Sequence, residues 1–256
     1  MYRLIMHGCN GKMGQVISRI VAADEEACIV AGVDARDDGH NDYPVFTNIE
    51  ECNVEADALI DFSVAPAVDG VLAFCEKRQI PCVLCTTGLS EEQLKKVADT
   101  AKKVAVLRSA NMSLGINLLL KLLKNAASTL APAGFDIEIV EKHHNQKLDA
   151  PSGTALALAD SINEEFDGAY EYVYDRSKVR QKRSPKEIGI SAVRGGTIVG
   201  DHDVIFAGED EVITFSHTAY SKAVFGKGAV SAAKFLAGKP AGMYDMSNVI
   251  DAATNC

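Results

Sequence analysis

Residues 141–155 read Glu-Lys-His-His-Asn-Gln-Lys-Leu-Asp-Ala-Pro-Ser-Gly-Thr-Ala, placing two imidazoles and an ammonium just ahead of a Pro-Ser-Gly-Thr turn. His143 and His144 can supply protons near neutral pH. Lys147 adds a fixed positive charge. Gly153 and Thr154 open an Ala/Leu-rich helical segment, whose first turn offers free N–H groups and a positive dipole end to an anion. The chemistry these types suit is an acid catalyst beside a carboxylate-binding cradle. The plain structural alternative is a solvated His-His loop followed by an ordinary Ser-Gly-Thr helix cap. A metal site is not expected, because adjacent residues leaving a strand point apart and no Cys or carboxylate stands at zinc-type spacing.

A second constellation stands at the N-terminus. Tyr2–Met6 is a short apolar run that leads into His7-Gly8-Cys9-Asn10-Gly11-Lys12-Met13-Gly14, followed by helical spacing through Val16, Ile17, Ile20 and Val21. A second apolar run, Cys28–Val33, ends at Asp34, twenty residues after Gly14. Strand, glycine turn, helix, strand and acid is the pattern of a dinucleotide site. There the glycines serve a tight turn, close approach of backbone to a pyrophosphate, and helix–strand packing. On this reading Gly8, Gly11 and Gly14 are the turn glycines, and Asp34 at the end of the second strand would bond ribose hydroxyls. Asp34 suits NADH, whereas Lys12 and Arg36 lie close enough in sequence to meet the 2′-phosphate of NADPH, so these residues leave both dinucleotides open.

The elements that must hold these residues follow from the patterning. Ala56–Phe62, Pro81–Cys85 and Val104–Leu107 are further short apolar strands, separated by helical stretches. Ser90-Glu91-Glu92-Gln93 is a capping-box start for a helix running to Lys103. Strands alternating with helices predict a Rossmann-type α/β fold with a covered parallel sheet, whose ligands bind beyond the C-terminal strand ends. The polar turns Asp61-Phe62-Ser63, Thr86-Thr87-Gly88 and Ala110-Asn111-Met112 fall at such ends, where they would meet a cofactor, although turns favour these residue types in any case. A Leu-rich helix over 115–130 is expected to pack on more than one side.

The texture changes after the helix that ends near Phe166. The segment 170–186, with Arg176, Lys178, Arg180, Lys182 and Arg183, reads as a solvated or mobile loop. Ile188–Arg194, Thr197–Ala207 and Val212–Ala219 read as successive antiparallel strands, with His202 and His217 as structural histidines. Phe225–Leu236 returns to the first texture. The expected organisation is residues 1–114 plus 224–256 as a dinucleotide-binding domain, and 115–223 as a second, α+β domain carrying an antiparallel sheet. That second domain would serve substrate binding and oligomerisation.

Composition bounds the partners. Lys and Arg number 26 against 35 Asp and Glu, a net charge of −9, which argues against nucleic acid or an anionic membrane surface. No apolar run approaches the roughly 20 residues that span a bilayer. Arg3 and His7 interrupt the N-terminal apolar run, unlike a signal peptide. Seven cysteines, an odd number, suit free thiols in a reducing cytoplasm. Cys82-Val-Leu-Cys85 has redox spacing but lies along a strand, which favours structural thiols.

The glycine turn, Thr86-Thr87-Gly88, Ala110-Asn111-x-Ser-x-Gly-x-Asn and Glu141-x-His143-His144-x-x-Lys147-x-Asp-Ala-Pro-Ser-Gly-Thr-Ala occur here in that order. In this the chain resembles, along essentially its whole length, the 4-hydroxy-tetrahydrodipicolinate reductases (formerly dihydrodipicolinate reductases) of bacterial diaminopimelate and lysine biosynthesis. The resemblance implies an NAD(P)H-dependent reductase of a cyclic dicarboxylate. His143 would be the proton donor, with Lys147 beside it in catalysis, and His144, Lys147, Gly153 and Thr154 would hold the substrate. Gly8, Cys9, Asn10, Gly11, Lys12 and Met13 would hold the pyrophosphate and Asp34 the ribose, while Cys85, Thr86, Thr87, Ser109, Ala110, Asn111 and Met112 would line the nicotinamide. It also implies a cytoplasmic homotetramer. Three positions depart from the family pattern: Cys85 replaces a glycine, Ala35 an arginine that would favour NADPH, and Lys222 an arginine. The second leans toward NADH. The alternatives are an NAD(H)-sensing module without turnover, and a different small-molecule dehydrogenase on the same fold.

Overall fold

The computed structural model describes residues 1–174, 176–177 and 180–254; Lys178 of the basic segment lies outside them. The chain divides into two units, Met1–Leu114 with Ala223–Cys256, and Gly115–Lys222.

The first unit runs β1 (Tyr2–His7), α1 (Lys12–Ala22), β2 (Ala27–Val33), β3 (Val45–Phe46), β4 (Ala58–Asp61), α2 (Val68–Arg78), β5 (Cys82–Leu84), α3 (Glu91–Ala101) and β6 (Ala105–Leu107). The chain then builds the second unit from α4 (Leu114–Leu130), β7 (Asp136–His143), α5 (Gly153–Asn163), β8 (Glu171–Val173), β9 (Glu187–Arg194), β10 (Gly200–Ala207) and β11 (Val212–Ala219). It returns to the first unit with α6 (Ala223–Leu236), β12 (Gly242–Tyr244) and α7 (Met246–Thr254).

The seven strands of the first unit lie in the order β12-β6-β5-β4-β1-β2-β3. Every pairing between them is parallel. Strand order reverses between β1 and β4, and such a switch point is where open α/β sheets bind ligands. Alternation sends Leu4, Met6 and Ile60 to a core shared with α1, α6 and α7, and Ile5, Leu59 and Leu84 to a core shared with α2 and α3. The expected helix start at Ser90 is present as a full capping box with Gln93. β3, β12 and α7 were not legible in the sequence. Two of these are two- and three-residue strands that only their neighbours stabilise.

The second unit corrects the expected antiparallel sheet. Its strand order is β11-β10-β7-β9-β8, so β7 lies between β9 and β10. β10 is antiparallel to β7 and β11, but β9 is parallel to β7 and to β8. α5 carries the chain from β7 back to the same end of the sheet for β8, as a βαβ crossover does, and β9 then pairs with both β7 and β8 in that direction. The basic segment is also more ordered than a solvated loop. It opens with β8, and Arg183 reaches back to Asp136 (2.7 Å), Glu138 (3.0 Å) and the carbonyls of Ile137 and Glu187. Arg176 pairs with Glu187. On α4, Leu119 and Leu123 are buried, whereas Leu118 and Leu122 are exposed, so one side carries the packing. The core of this unit sets α4 and α5 against Ile137, Ile139, Ile190, Val204 and Phe206.

Candidate active site

In the first unit, β1 ends at His7 and the chain turns through Gly8 at φ +81°, a conformation that L side chains rarely adopt. A Cβ on Gly8 would lie 2.5 Å from the Phe62 carbonyl oxygen, and one on Gly14 would lie 2.2 Å from the Gly8 carbonyl oxygen. These glycines bring the turn against β4 and α1 against the turn. Asp34 stands beyond β2, where the Asn10 N–H donates to Oδ2 and the Ala35 N–H to Oδ1, each at 2.8 Å. Each carboxylate oxygen retains a lone pair for a ribose hydroxyl. The Asn10 side chain is fixed between the Arg36 carbonyl and Asn41.

Gly8, Asn10, Gly11, Asp34 and Arg36 line one cavity of about 840 Å3. Lys12 is exposed, and Arg36 is ion-paired to Asp38 at 2.9 Å. Cys9 points into the core, where burial and the nearby Asp34 push its thiol up to about 11, so only its backbone can serve a ligand. Met13 is half-buried.

Cys85, Thr86, Thr87, Ser109, Ala110, Asn111 and Met112 follow β5 and β6 and do not wall this cavity. Thr86 and Met112 are buried. The Asn111 side chain accepts from the Ser113 N–H. The Cys82 and Cys85 thiols are both held well above their ordinary value, Cys82 by a hydrogen bond with Cys75 and by burial, Cys85 by burial. Redox chemistry needs the opposite shift. A turn without Cβ atoms and an acid with spare acceptors fit the diphosphate and ribose of a dinucleotide.

In the second unit, His143 is the last residue of β7 and not part of a loop. The Gly195 N–H donates to the His143 carbonyl at 2.9 Å, and the Asn145 N–H to the Gly196 carbonyl. The turn leading from β9 to β10 thus ties down the end of β7. Strand alternation puts Glu141 on the same face as His143, and its Oε2 lies 2.7 Å from His143 Nδ1. Glu141 is fully buried. Arg194 donates to both its oxygens, at 2.8 and 2.7 Å, and the Ser152 N–H donates to Oε1 at 2.9 Å. Burial alone would raise this carboxyl, but the hydrogen bonds from Arg194, His143 and Ser152 outweigh it and hold Glu141 below its ordinary value.

One carboxylate therefore fixes both the imidazole and the start of α5, where the Ser152 hydroxyl caps the helix by accepting from the Ala155 N–H. With Nδ1 held, Nε2 is the ring nitrogen of His143 left for a ligand, and Gly200 leaves space beside it: a Cβ there would sit 3.0 Å from Nε2. His202 lies edge-on to His143, ring centroids 5.2 Å apart, with Nε2 at 3.2 Å from the Ser152 hydroxyl. Burial first, then the neighbouring histidines His143 and His217, push His202 down to about 4, which keeps it neutral. His144 is half-buried and its carbonyl accepts from the Lys147 N–H. Lys147 Nζ pairs with Asp149 at 2.8 Å. Gly153 is exposed and Thr154 half-buried in the first turn of α5.

Glu141, Arg194 and His202 were not singled out from sequence. The two-residue spacing of Glu141 and His143 in a strand was a usable signal. Arg194 and His202 had none, since only tertiary pairing brings them to β7.

A family model described as the N-terminus of dihydrodipicolinate reductase matches residues 2–112, and one described as its C-terminus matches residues 115–250. The chain is 55% identical over 250 residues to the 4-hydroxy-tetrahydrodipicolinate reductase of Caldanaerobacter subterraneus subsp. tengcongensis, covering 98% of both chains. It is 48% identical to that of Clostridium tetani, again over 98% of each. Among solved structures, the dipicolinate-bound dihydrodipicolinate reductase of Paenisporosarcina sp. TG-14 superposes with a TM-score of 0.81 at 26% identity, covering 97% of this chain and 99% of that one. With both halves matched and near full-length identity of this order, the chain belongs to the dihydrodipicolinate reductase family.

Proposed function

We propose that this protein reduces 4-hydroxy-tetrahydrodipicolinate to tetrahydrodipicolinate in diaminopimelate and lysine biosynthesis, with NADH preferred over NADPH. The observation that carries the reading is His143, whose Nδ1 is locked on a buried carboxylate so that Nε2 is presented beside Gly200. When bound, the nicotinamide supplies the hydride. Loss of the 4-hydroxyl as water leaves a conjugated imine; adding hydride to it leaves negative charge on the ring, and a proton from His143 Nε2 quenches it at the adjacent carbon. Glu141 holds the imidazole in the orientation that makes Nε2 the donor. Dipicolinate, the ring dicarboxylate of the Paenisporosarcina relative, has two anionic groups. Lys147, His144 and the Gly153–Thr154 start of α5 supply matching donors, and Lys147 exchanges Asp149 for the substrate.

The NADH preference rests on Asp34, which keeps acceptors for both ribose hydroxyls, and on Ala35, which offers no charge to a 2′-phosphate. Arg36 is turned to Asp38. A homotetramer is supported by Val193 and Val212, both exposed on the sheet face opposite α4 and α5.

The test is parallel NADH and NADPH kinetics with enzymatically generated substrate, following loss of reduced nicotinamide absorbance. His143→Ala is expected to lower turnover by about a hundredfold or more with cofactor affinity kept. Unchanged turnover would remove His143 from the mechanism.

A further inference from the structure

The glycine turn meets its ligand through backbone, but a buried polar cluster stands directly behind it that the reaction above does not use. At the C-terminal ends of β1 and β4, His7 Nδ1 lies 2.6 Å from Asp61 Oδ1. Just after β5, Thr86 Oγ1 lies 2.6 Å from Asp61 Oδ2 and accepts from the Ser63 N–H at 3.1 Å. The proton directions follow. Thr86 spends a lone pair on Ser63, so its own hydrogen goes to Asp61. The carboxylate accepts at both oxygens, and His7 Nδ1 therefore carries hydrogen. Nε2 is the one polar atom of the ring left over.

Stability does not account for this cluster. Asp61 has no exposure at all. Burying a charged carboxylate with polar partners often gains nothing over an apolar set of the same volume. The neighbouring strands carry buried apolar residues at the same level, Val33 on β2 and Leu84 on β5. His7 and Ser63 both line the cavity of about 840 Å3 that also contains Gly8, Gly11 and Asp34. The Ser63 hydroxyl oxygen in that wall is buried with no partner in the protein. Two polar groups are thus kept at the switch point of the sheet, one aligned by a buried carboxylate and one unsatisfied.

We propose that His7 is a nucleotide-binding residue whose Nε2–H, as an imidazolium aligned by Asp61, donates to the diphosphate of the dinucleotide, with the Ser63 hydroxyl as a second donor. The inference rests on reading this cavity as the cofactor site. The charge balance around it suits the role. Asp61 faces His7 from β4, and Asp34 stands beyond β2. The Cys82 and Cys85 thiols near Asp61 are neutral, Lys12 is exposed, and Arg36 is tied to Asp38. Among the described residues of the cavity wall, His7 is the cation source beside the glycine turn that no exposed acid already holds.

Calorimetry with ADP and with adenosine, in two buffers of different ionisation enthalpy, tests this. Wild-type protein is expected to take up protons on binding ADP and none on binding adenosine. His7→Gln should bind ADP about tenfold or more weakly, without that uptake, and adenosine unchanged. In wild-type protein the His7 ring resonance, followed by NMR, should shift with ADP bound, a readout that does not depend on the variant folding. ADP binding of equal strength and proton uptake in His7→Gln, or an unmoved His7 resonance, would overturn the proposal and leave the cofactor cavity standing. Failure of wild-type protein to bind ADP at all would overturn both.

Discussion

The imidazole proposed as the proton donor is held by its nearest same-face neighbour in the strand. Glu141 accepts from His143, Arg194 and the Ser152 N–H, so removing its charge leaves a partly buried guanidinium without its partner and an imidazole free to turn. Glu141→Gln is expected to lower turnover roughly ten- to a hundredfold with NADH affinity unchanged, checked by steady-state kinetics beside a binding titration. Equal turnover would show that Nε2 needs no such support. Residue types were the most legible feature of the sequence. His143, Lys147, Gly8 and Asp34 stood out because their chemistry and spacing are local. Arg194 could not stand out, since it reaches Glu141 across 53 positions of chain. The free ammonium inferred for Lys147 is occupied by Asp149, two residues away, a pairing that adjacent opposite charges make easy once the loop turns.

At the scale of elements, helix starts and strand ends do the positioning. Ser152 caps α5 with its side chain and ties that helix to Glu141 with its backbone. Ser152→Ala should cost about 1 kcal/mol of stability, read as a lowered denaturant midpoint, and raise the substrate KM more than the cofactor KM. The short parallel strands of the first unit were readable from apolar runs between helices. The direction of β9 was not, because alternation is the same in parallel and antiparallel strands. Whether Ile188–Arg194 pairs as a hairpin or a crossover depends on α5 and on β7 inserting between β9 and β10. The basic segment looked like solvated loop because its charges are dense, yet Arg183 is spent on β7 carboxylates and carbonyls that lie far away in the chain.

For the molecule as a whole, buried titratable groups set the response to acid. His202 is held neutral down to about 4, against 6.5 for the free group, so the unfolded chain binds the extra proton first. Its contribution is fully present above 6.5 and is lost as pH falls toward 4, and Glu141, held below its ordinary value, acts in the same direction at lower pH. Thermal unfolding should show stability falling on acidification through that window, by at most about 3 kcal/mol from His202. His202→Phe should flatten the curve between those limits. Assembly is a second whole-molecule property. Val193→Glu places a charge on the exposed sheet face and is expected to shift the mass measured by sedimentation toward smaller species, whereas an unchanged mass would put the contact elsewhere.

What the amino-acid sequence determined alone was everything set by neighbours a few residues apart: the glycine turn and its acid, the capped helices, the apolar runs of the parallel sheet, and the His-His-Lys stretch before α5. What only the tertiary structure decided was which distant groups complete those motifs. Glu141 with Arg194, His202 against Ser152, and His7 with Asp61 and Thr86 are pairings across strands. They form because a buried charge or donor must find a partner, and the order of strands in the sheet determines which partner is within reach.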